Sequence, residues 1–169
     1  MKRRSAPDVE AAEALTLLRA ARATLATAES LTGGRLAAAV TSVPGASASY
    51  LGGFVTYATQ LKESLLDVPR AIVEEYGVVS GECARAMADG ARTLLGSDWA
   101  VSTTGVAGPA EQEGKPVGTV FVGLAGPRGT TSHELHLDGD RAEVRAQACS
   151  AAASLVLEGV IATPEANSR

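Results

Sequence analysis

The chain has 169 residues, a net charge of −4 and 46% hydrophobic residues; that length suits one domain, which at this size buries roughly 70% of its extended surface and needs no disulfide or metal staple. The composition excludes collagen, coiled-coil and largely disordered classes. The acidic balance argues against a chain held to nucleic acid or an anionic membrane by bulk charge.

Met1-Lys2-Arg3-Arg4 has the charge of a signal-peptide start, but Asp8, Glu10 and Glu13 interrupt the apolar stretch that export needs. No apolar run approaches the length of a membrane span. Residues 8–22 are predicted helical, with Asp8 as N-cap and Val9, Ala12, Leu15 and Leu18 at helical spacing. Thr24–Glu29 is predicted as a strand, Ser30–Gly34 as a turn, and Arg35–Thr41 as a helix stopped before Pro44 and Gly45. Tyr50–Tyr57 reads as a strand whose Gly52-Gly53 pair signals a bulge or a close backbone approach.

Helices follow at about 59–66, 69–76 and 80–95, with Pro69 in a first turn, Gly77 at a helix end and Ser80 as an N-cap. Trp99–Val106 reads as a strand. Val117–Ala125 and Thr131–Leu137 read as a hairpin around Gly126-Pro127-Arg128-Gly129. Asp140 opens a final helix to about Ile161, and the tail from about Thr163 is polar and expected to fray. The order predicts a single-domain α/β fold with a mixed sheet covered by helices on both sides in three layers.

Ser30 at a strand end, before Gly33-Gly34 and a helix, is placed as a nucleophile would be, with nearby backbone N–H groups free for an oxyanion. A serine N-cap with glycines for turn geometry is the structural alternative. Histidine is the usual base, but His133 and His136, three apart on a strand, face opposite sides of the sheet. Lys62 is one of three lysines and follows Tyr57 closely. A lysine base must be neutral, and lowering its pKa from about 10.4 to about 7–8 takes about 4 kcal/mol, which burial or a nearby cation supplies. A surface lysine beside a packed tyrosine is the alternative.

Cys83 and Cys149 lie 66 residues apart without CxxC spacing and read as reduced, partly buried thiols. Neither a dinucleotide fingerprint nor a Walker A motif is present: Pro116 stands where a P-loop needs Ser or Thr. Arg141 and Arg145, four apart behind the capping Asp140, suit a phosphomonoester; surface pairing with Asp140 and Glu143 is the other reading. No metal site or cofactor is indicated.

With these residues in place the chain resembles the C-terminal domain family of CinA, the competence/damage-inducible proteins. The matching stretches are TAESLTGG at 27–34, GGFVTYATQLK at 52–62, GVVS at 77–80, VSTTGVAGP at 101–109, KPVGTVFVG at 115–123 and GDRAEVR at 139–145. They run in order through about residues 8–160, one domain within the 169. Stand-alone family members are nicotinamide-nucleotide amidohydrolases. The resemblance implies hydrolysis of the carboxamide of nicotinamide mononucleotide (NMN) to nicotinate mononucleotide and ammonia by a Ser–Lys mechanism, in pyridine-nucleotide recycling.

It implies Ser30 as nucleophile, Lys62 as base and Tyr57 as an aid to proton transfer. Oxyanion donors would come from Thr32, Gly33 and Gly34 or from Thr104 and Gly105, and Arg141 with Arg145 would hold the phosphate. A cytoplasmic homo-oligomer without nucleic-acid or membrane partners is expected. Two departures stand out. Leu31 replaces a frequent Cys, and the loop Gly108–Gly114 is short and lacks the usual Gly-Gly pair. The N-terminal domain of longer members has no counterpart in this sequence, so its pyrophosphatase activity is not expected. An amidase for another small amide, or a ligand-binding or competence/DNA-damage module without amidase activity, stays open.

Overall fold

Alternation along the strands decides which layer each side chain enters. In the computed structural model, which describes residues 7–163, β1 (Leu25–Glu29) sends Leu25 into one apolar cluster and Ala26 and Ala28 into the other. The same period of two separates Trp99 and Val101 from Ala100 on β3 (Trp99–Gly105), and Val120, Val122 and Leu124 from Phe121 and Ala125 on β4 (Thr119–Gly126). With β2 (Tyr50–Val55) and β5 (Gly129–His136) these form a five-stranded sheet in the order β2-β1-β3-β4-β5. β2, β1 and β3 are parallel; β4 and β5 are antiparallel.

One face of the sheet packs against α1 (Pro7–Ala20), α2 (Arg35–Thr41) and α6 (Arg141–Ile161). The other is covered chiefly by α5 (Gly81–Leu95), with α3 (Thr59–Leu66) and α4 (Arg70–Tyr76) around it. The result is an α/β fold in three layers. The chain leaves β1 through α2 on one face and returns to β3 through α3–α5 on the other, so the carboxyl ends of β1 and β3 form a crevice at a topological switch point.

Several boundaries differ from expectation. The first helix begins at Pro7 and ends at Ala20, so Asp8 lies within its first turn and not at its cap; Pro at an early helical position has no N–H to leave unpaired. Pro69 is the residue before α4 rather than within its first turn. β2 stops at Val55, since Thr56 and Tyr57 turn their carbonyls to Lys62. The hairpin strands begin later at β4 and earlier at β5, and a two-residue turn, Pro127-Arg128, joins them. Both readings of Gly52-Gly53 hold: pairing slips between Leu25–Tyr50 and Ala26–Gly52, and a Cβ at Gly53 would lie 2.8 Å from the Thr27 carbonyl. Ser80 caps α5 by accepting from Cys83 N–H at 3.1 Å.

Asp140 caps α6, and Glu143 completes a capping box instead of pairing with the arginines. By length and composition alone α6 is apolar enough to cross a membrane, contrary to the expectation of no such run. Its apolar residues Val144, Ala148, Ala152, Ala153 and Val156 are instead buried in the core. The N-terminal Met1–Arg4 and the tail beyond Thr163 lie outside the described residues.

Candidate functional site

Successive residues at the end of β1 serve opposite faces of the sheet. Glu29 is 1% exposed, and its carboxylate accepts from the N–H groups of Gly34 (3.2 Å), Leu36 (2.8 Å) and Ala37 (3.1 Å). Gly34 adopts φ +96° at the start of α2, with no side-chain cap of its own; Glu29 supplies the cap from the strand. Ser30, next in the chain, reaches toward α3. Its N–H donates to Thr103 O on β3 at 3.0 Å, which pins the turn to the sheet.

Lys62 on α3 is 1% exposed. Its Nζ lies 3.1 Å from Ser30 Oγ, 2.6 Å from Thr56 O and 3.3 Å from Tyr57 O. Burial pushes the Lys62 pKa below the ordinary lysine value, while the negative charge of Glu113 acts in the opposite direction. A neutral amine has two N–H groups and one lone pair. With the two carbonyls taking the N–H groups, the lone pair is left for the Ser30 hydroxyl. That is the geometry of a nucleophile and its base.

Ser30 and Lys62 open into a cleft of about 180 Å³, also lined by Tyr57, Thr104, Gly105 and Arg141. A larger groove of about 680 Å³ runs past Leu65, Arg85 and Leu94. It contains neither Ser30 nor Lys62, both of which line the smaller cleft. Arg141 donates to Gly108 O at 2.6 Å and to Tyr57 Oη at 3.1 Å. Thr104 Oγ1 donates to Val78 O at 2.7 Å, fixing the opposite wall.

Other candidates go elsewhere. Tyr57 brings its backbone carbonyl to Lys62, whereas its hydroxyl sits on Arg141. Thr32 is fully buried, with Oγ1 bonded to Thr103 Oγ1 at 2.7 Å. The N–H of Gly33 closes on Ser30 O at 3.1 Å and that of Gly34 on Glu29, so neither is free for an oxyanion. Arg145 is absent from the cleft lining; its Nε donates to Leu31 O at 2.8 Å and its Nη2 to Thr32 O at 3.3 Å. Burial pushes the Cys83 thiol up to about 11 and the Cys149 thiol up to about 12, which leaves both inert near neutral pH. His133 and His136 lie on β5 and do not line the cleft.

Sequence reasoning missed two acids. Glu29 was legible as the neighbour of Ser30 on the alternate face of the strand. Glu113 gave no such signal: it crosses from the 108–114 loop to accept from Val78 N–H (3.0 Å) and Val79 N–H (3.1 Å). Gln112 of the same loop lines the cleft.

The family model of the CinA C-terminal domain matches residues 8–160. A CinA-like protein of Frankia casuarinae is 51% identical over 142 residues, covering 84% of this chain and 33% of its own length. A CinA-like protein of Geotalea uraniireducens is 49% identical over 131 residues, covering 77% and 31%. The chain thus spans about a third of the length of these curated relatives. Among solved structures, a competence-damaged protein (CinA) superfamily protein from Klebsiella pneumoniae superposes with a TM-score of 0.90 at 32% identity, covering 93% of this chain and 99% of that one.

Proposed function

The chain belongs to the CinA C-terminal domain family, and from that membership and the Ser30–Lys62 contact we propose that it is an amidohydrolase that releases ammonia from the carboxamide of nicotinamide mononucleotide. The observation that carries this reading is the buried Lys62 amine 3.1 Å from Ser30 Oγ, with Thr56 O and Tyr57 O occupying its other directions. Neutral Lys62 takes the Ser30 proton as Oγ attacks the carboxamide carbon. The ammonium so formed returns the proton to the leaving nitrogen as the C–N bond breaks and ammonia departs. Water then attacks the acyl-enzyme, Lys62 accepts its proton, and nicotinate mononucleotide is released as Ser30 is reprotonated.

The cleft of about 180 Å³ suits the pyridine ring and amide, with the ribose phosphate reaching the rim. Arg141, held by Gly108 O and Tyr57 Oη, stands there with donors for the phosphate. This assigns Tyr57 to alignment of Arg141 as well as to the Lys62 contact. The reading places the enzyme in a reducing cytoplasm, with which two free buried thiols are compatible. Ala110 and Gln112, from the short loop, line the cleft and favour a second reading in which another small amide is the substrate.

Ammonia release from NMN, nicotinamide riboside and nicotinamide separates the two readings. NMN is expected to be hydrolysed fastest, and Ser30→Ala to abolish its turnover while leaving circular dichroism unchanged. Turnover of Ser30→Ala within a few fold of the unmodified protein would remove Ser30 as nucleophile.

A further inference from the structure

We infer that the backbone N–H of Gly105, joined by that of Leu31, forms the oxyanion hole of the Ser30 site, where the hydrogen-bond ladder between β1 and β3 stops one rung short. This rests on the amidohydrolase reading above.

β3 turns its odd-numbered residues toward β1. Trp99 N–H donates to Thr24 O at 2.9 Å, and Ser30 N–H donates to Thr103 O at 3.0 Å. Bonds in a parallel ladder are evenly spaced, one for every second residue, so the next rung would run from Gly105 N–H to Ser30 O. It is not made, because the chain turns at Ser30, whose carbonyl accepts from Gly33 N–H at 3.1 Å instead.

Nor does the Gly105 N–H turn to β4. Val106 N–H donates to Thr119 O at 2.9 Å, and opposed residues of an antiparallel pair alternate between bonded and non-bonded. Thr104 is thereby bonded to Phe121, which uses its N–H, and Gly105, opposite Val120, faces away from β4. The Gly105 N–H has no acceptor among the described residues and faces the side where β1 has ended, in the cleft that Gly105 lines with Ser30. A side chain is excluded at this position: a Cβ on Gly105 would sit 2.6 Å from Thr119 O and 2.8 Å from Val120 Cα.

Leu31 adds the second donor. Its N–H also has no acceptor among the described residues, and Leu31 lines the same cleft while only 4% exposed. Ser30 O and Leu31 N–H belong to one trans peptide unit and point in opposite directions, so the Gly33 bond to Ser30 O also fixes the Leu31 N–H. Unpaired N–H groups away from water are rare. Two that flank a nucleophile from the ends of neighbouring strands are accounted for by an acceptor that arrives with the substrate. As Oγ attacks the carboxamide, the carbonyl oxygen takes up negative charge, and donors held in place beforehand stabilise it without reorganisation. Ala107 N–H is unpaired too, but it lies a further rung from Ser30.

The test replaces Gly105 by glycolate, which exchanges the N–H for an ester oxygen. Ligation at Cys83 and Cys149 rebuilds the full chain, and the same ligation with glycine is the control. The ester chain is expected to turn over NMN and nicotinamide riboside about 100- to 1,000-fold more slowly in kcat, with KM nearly unchanged. Labelling of Ser30 by a small fluorophosphonate, read by intact mass, should slow as well. Thermal melting should match the control, because the N–H has no partner to lose. A second measurement uses the unmodified, 15N-labelled protein and decides the matter if the ester chain does not fold. On labelling of Ser30, the amide protons of Gly105 and Leu31 should move downfield and exchange more slowly with solvent.

Control-like kcat and labelling in the ester chain would overturn the inference. So would a rise confined to KM, which would make Gly105 a ground-state contact, or amide shifts confined to Gly33, Gly34 or Ala107. If the unmodified protein labels at Ser30 but does not hydrolyse NMN, the substrate reading fails, and the labelling rates and amide shifts still decide the role of Gly105. If it neither labels nor turns over, the Ser30 reading falls and this inference with it.

Discussion

Lys62 meets Ser30 through a lone pair only when it has lost its proton, so its ionisation links activity to stability. Burial holds its pKa below the ordinary value of 10.5. Between that lowered value and 10.5 the unfolded chain holds the proton and the native state does not, so stability rises with pH across this window. Below the window the native state bears the full cost of a buried ammonium. Lys62→Met is therefore expected to be inactive, more stable than the unmodified protein at pH 7, and without the rise. Urea midpoints measured from neutral to alkaline pH check this; a parallel rise in both proteins would contradict the assignment. At the rim, Arg141→Ala is expected to weaken NMN about 10- to 150-fold, the equivalent of a lost charge-assisted hydrogen bond. Nicotinamide riboside, which has no phosphate, should be little affected. Equal losses on the two substrates in steady-state kinetics would give Arg141 a structural role.

Helix α2 shows how an element with little stability of its own is held in place. Seven residues are too few for an independent helix in water, and no side chain at Gly34 caps it. The Glu29 carboxylate joins β1 to the α2 start through the N–H groups of Gly34, Leu36 and Ala37. Glu29→Ala leaves buried donors unpaired and is expected to destabilise the fold by about 3 kcal/mol. Asp140→Ala loses half of the α6 capping box, an exposed contact, and is expected to lose about 1 kcal/mol. Denaturant unfolding of the two variants tests the order. A smaller loss for Glu29→Ala would show that packing of Leu36 and Val40, not the cap, holds α2 in place.

Across the whole molecule, the cleft is assembled where the chain crosses from one face of the sheet to the other. Ser30 follows β1, Thr104 and Gly105 end β3, and Lys62, Val78 and Arg141 arrive from three further segments. Glu113 ties two walls together, because it belongs to the loop carrying Gln112 yet binds the N–H groups of Val78 and Val79. Glu113→Ala is expected to let these walls part. KM for NMN should rise about tenfold, equivalent to about 1.4 kcal/mol, with kcat changed less. Steady-state kinetics checks this, and an unchanged KM would show that the walls hold without the latch.

The element order, the three layers, the α2 boundaries and the Ser30 turn were legible in the sequence, because hydrophobic period, glycine pairs and cap residues act over a few neighbouring positions. Lys62 stood out in the sequence as one of three lysines and close to a strand end. Tertiary structure alone decided where the long side chains go. Lys62 reaches Ser30 across 32 residues of sequence. Arg141 and Arg145 share a helix face, yet one meets Gly108 and Tyr57 in the cleft and the other the carbonyls behind the Ser30 turn. Glu113 carries no local signal in its loop, and only folding brings Val78 and Val79 beside it. Local patterns fix backbone conformation within a turn or two. The partner of a flexible charged side chain depends instead on how distant elements pack, which no local spacing encodes.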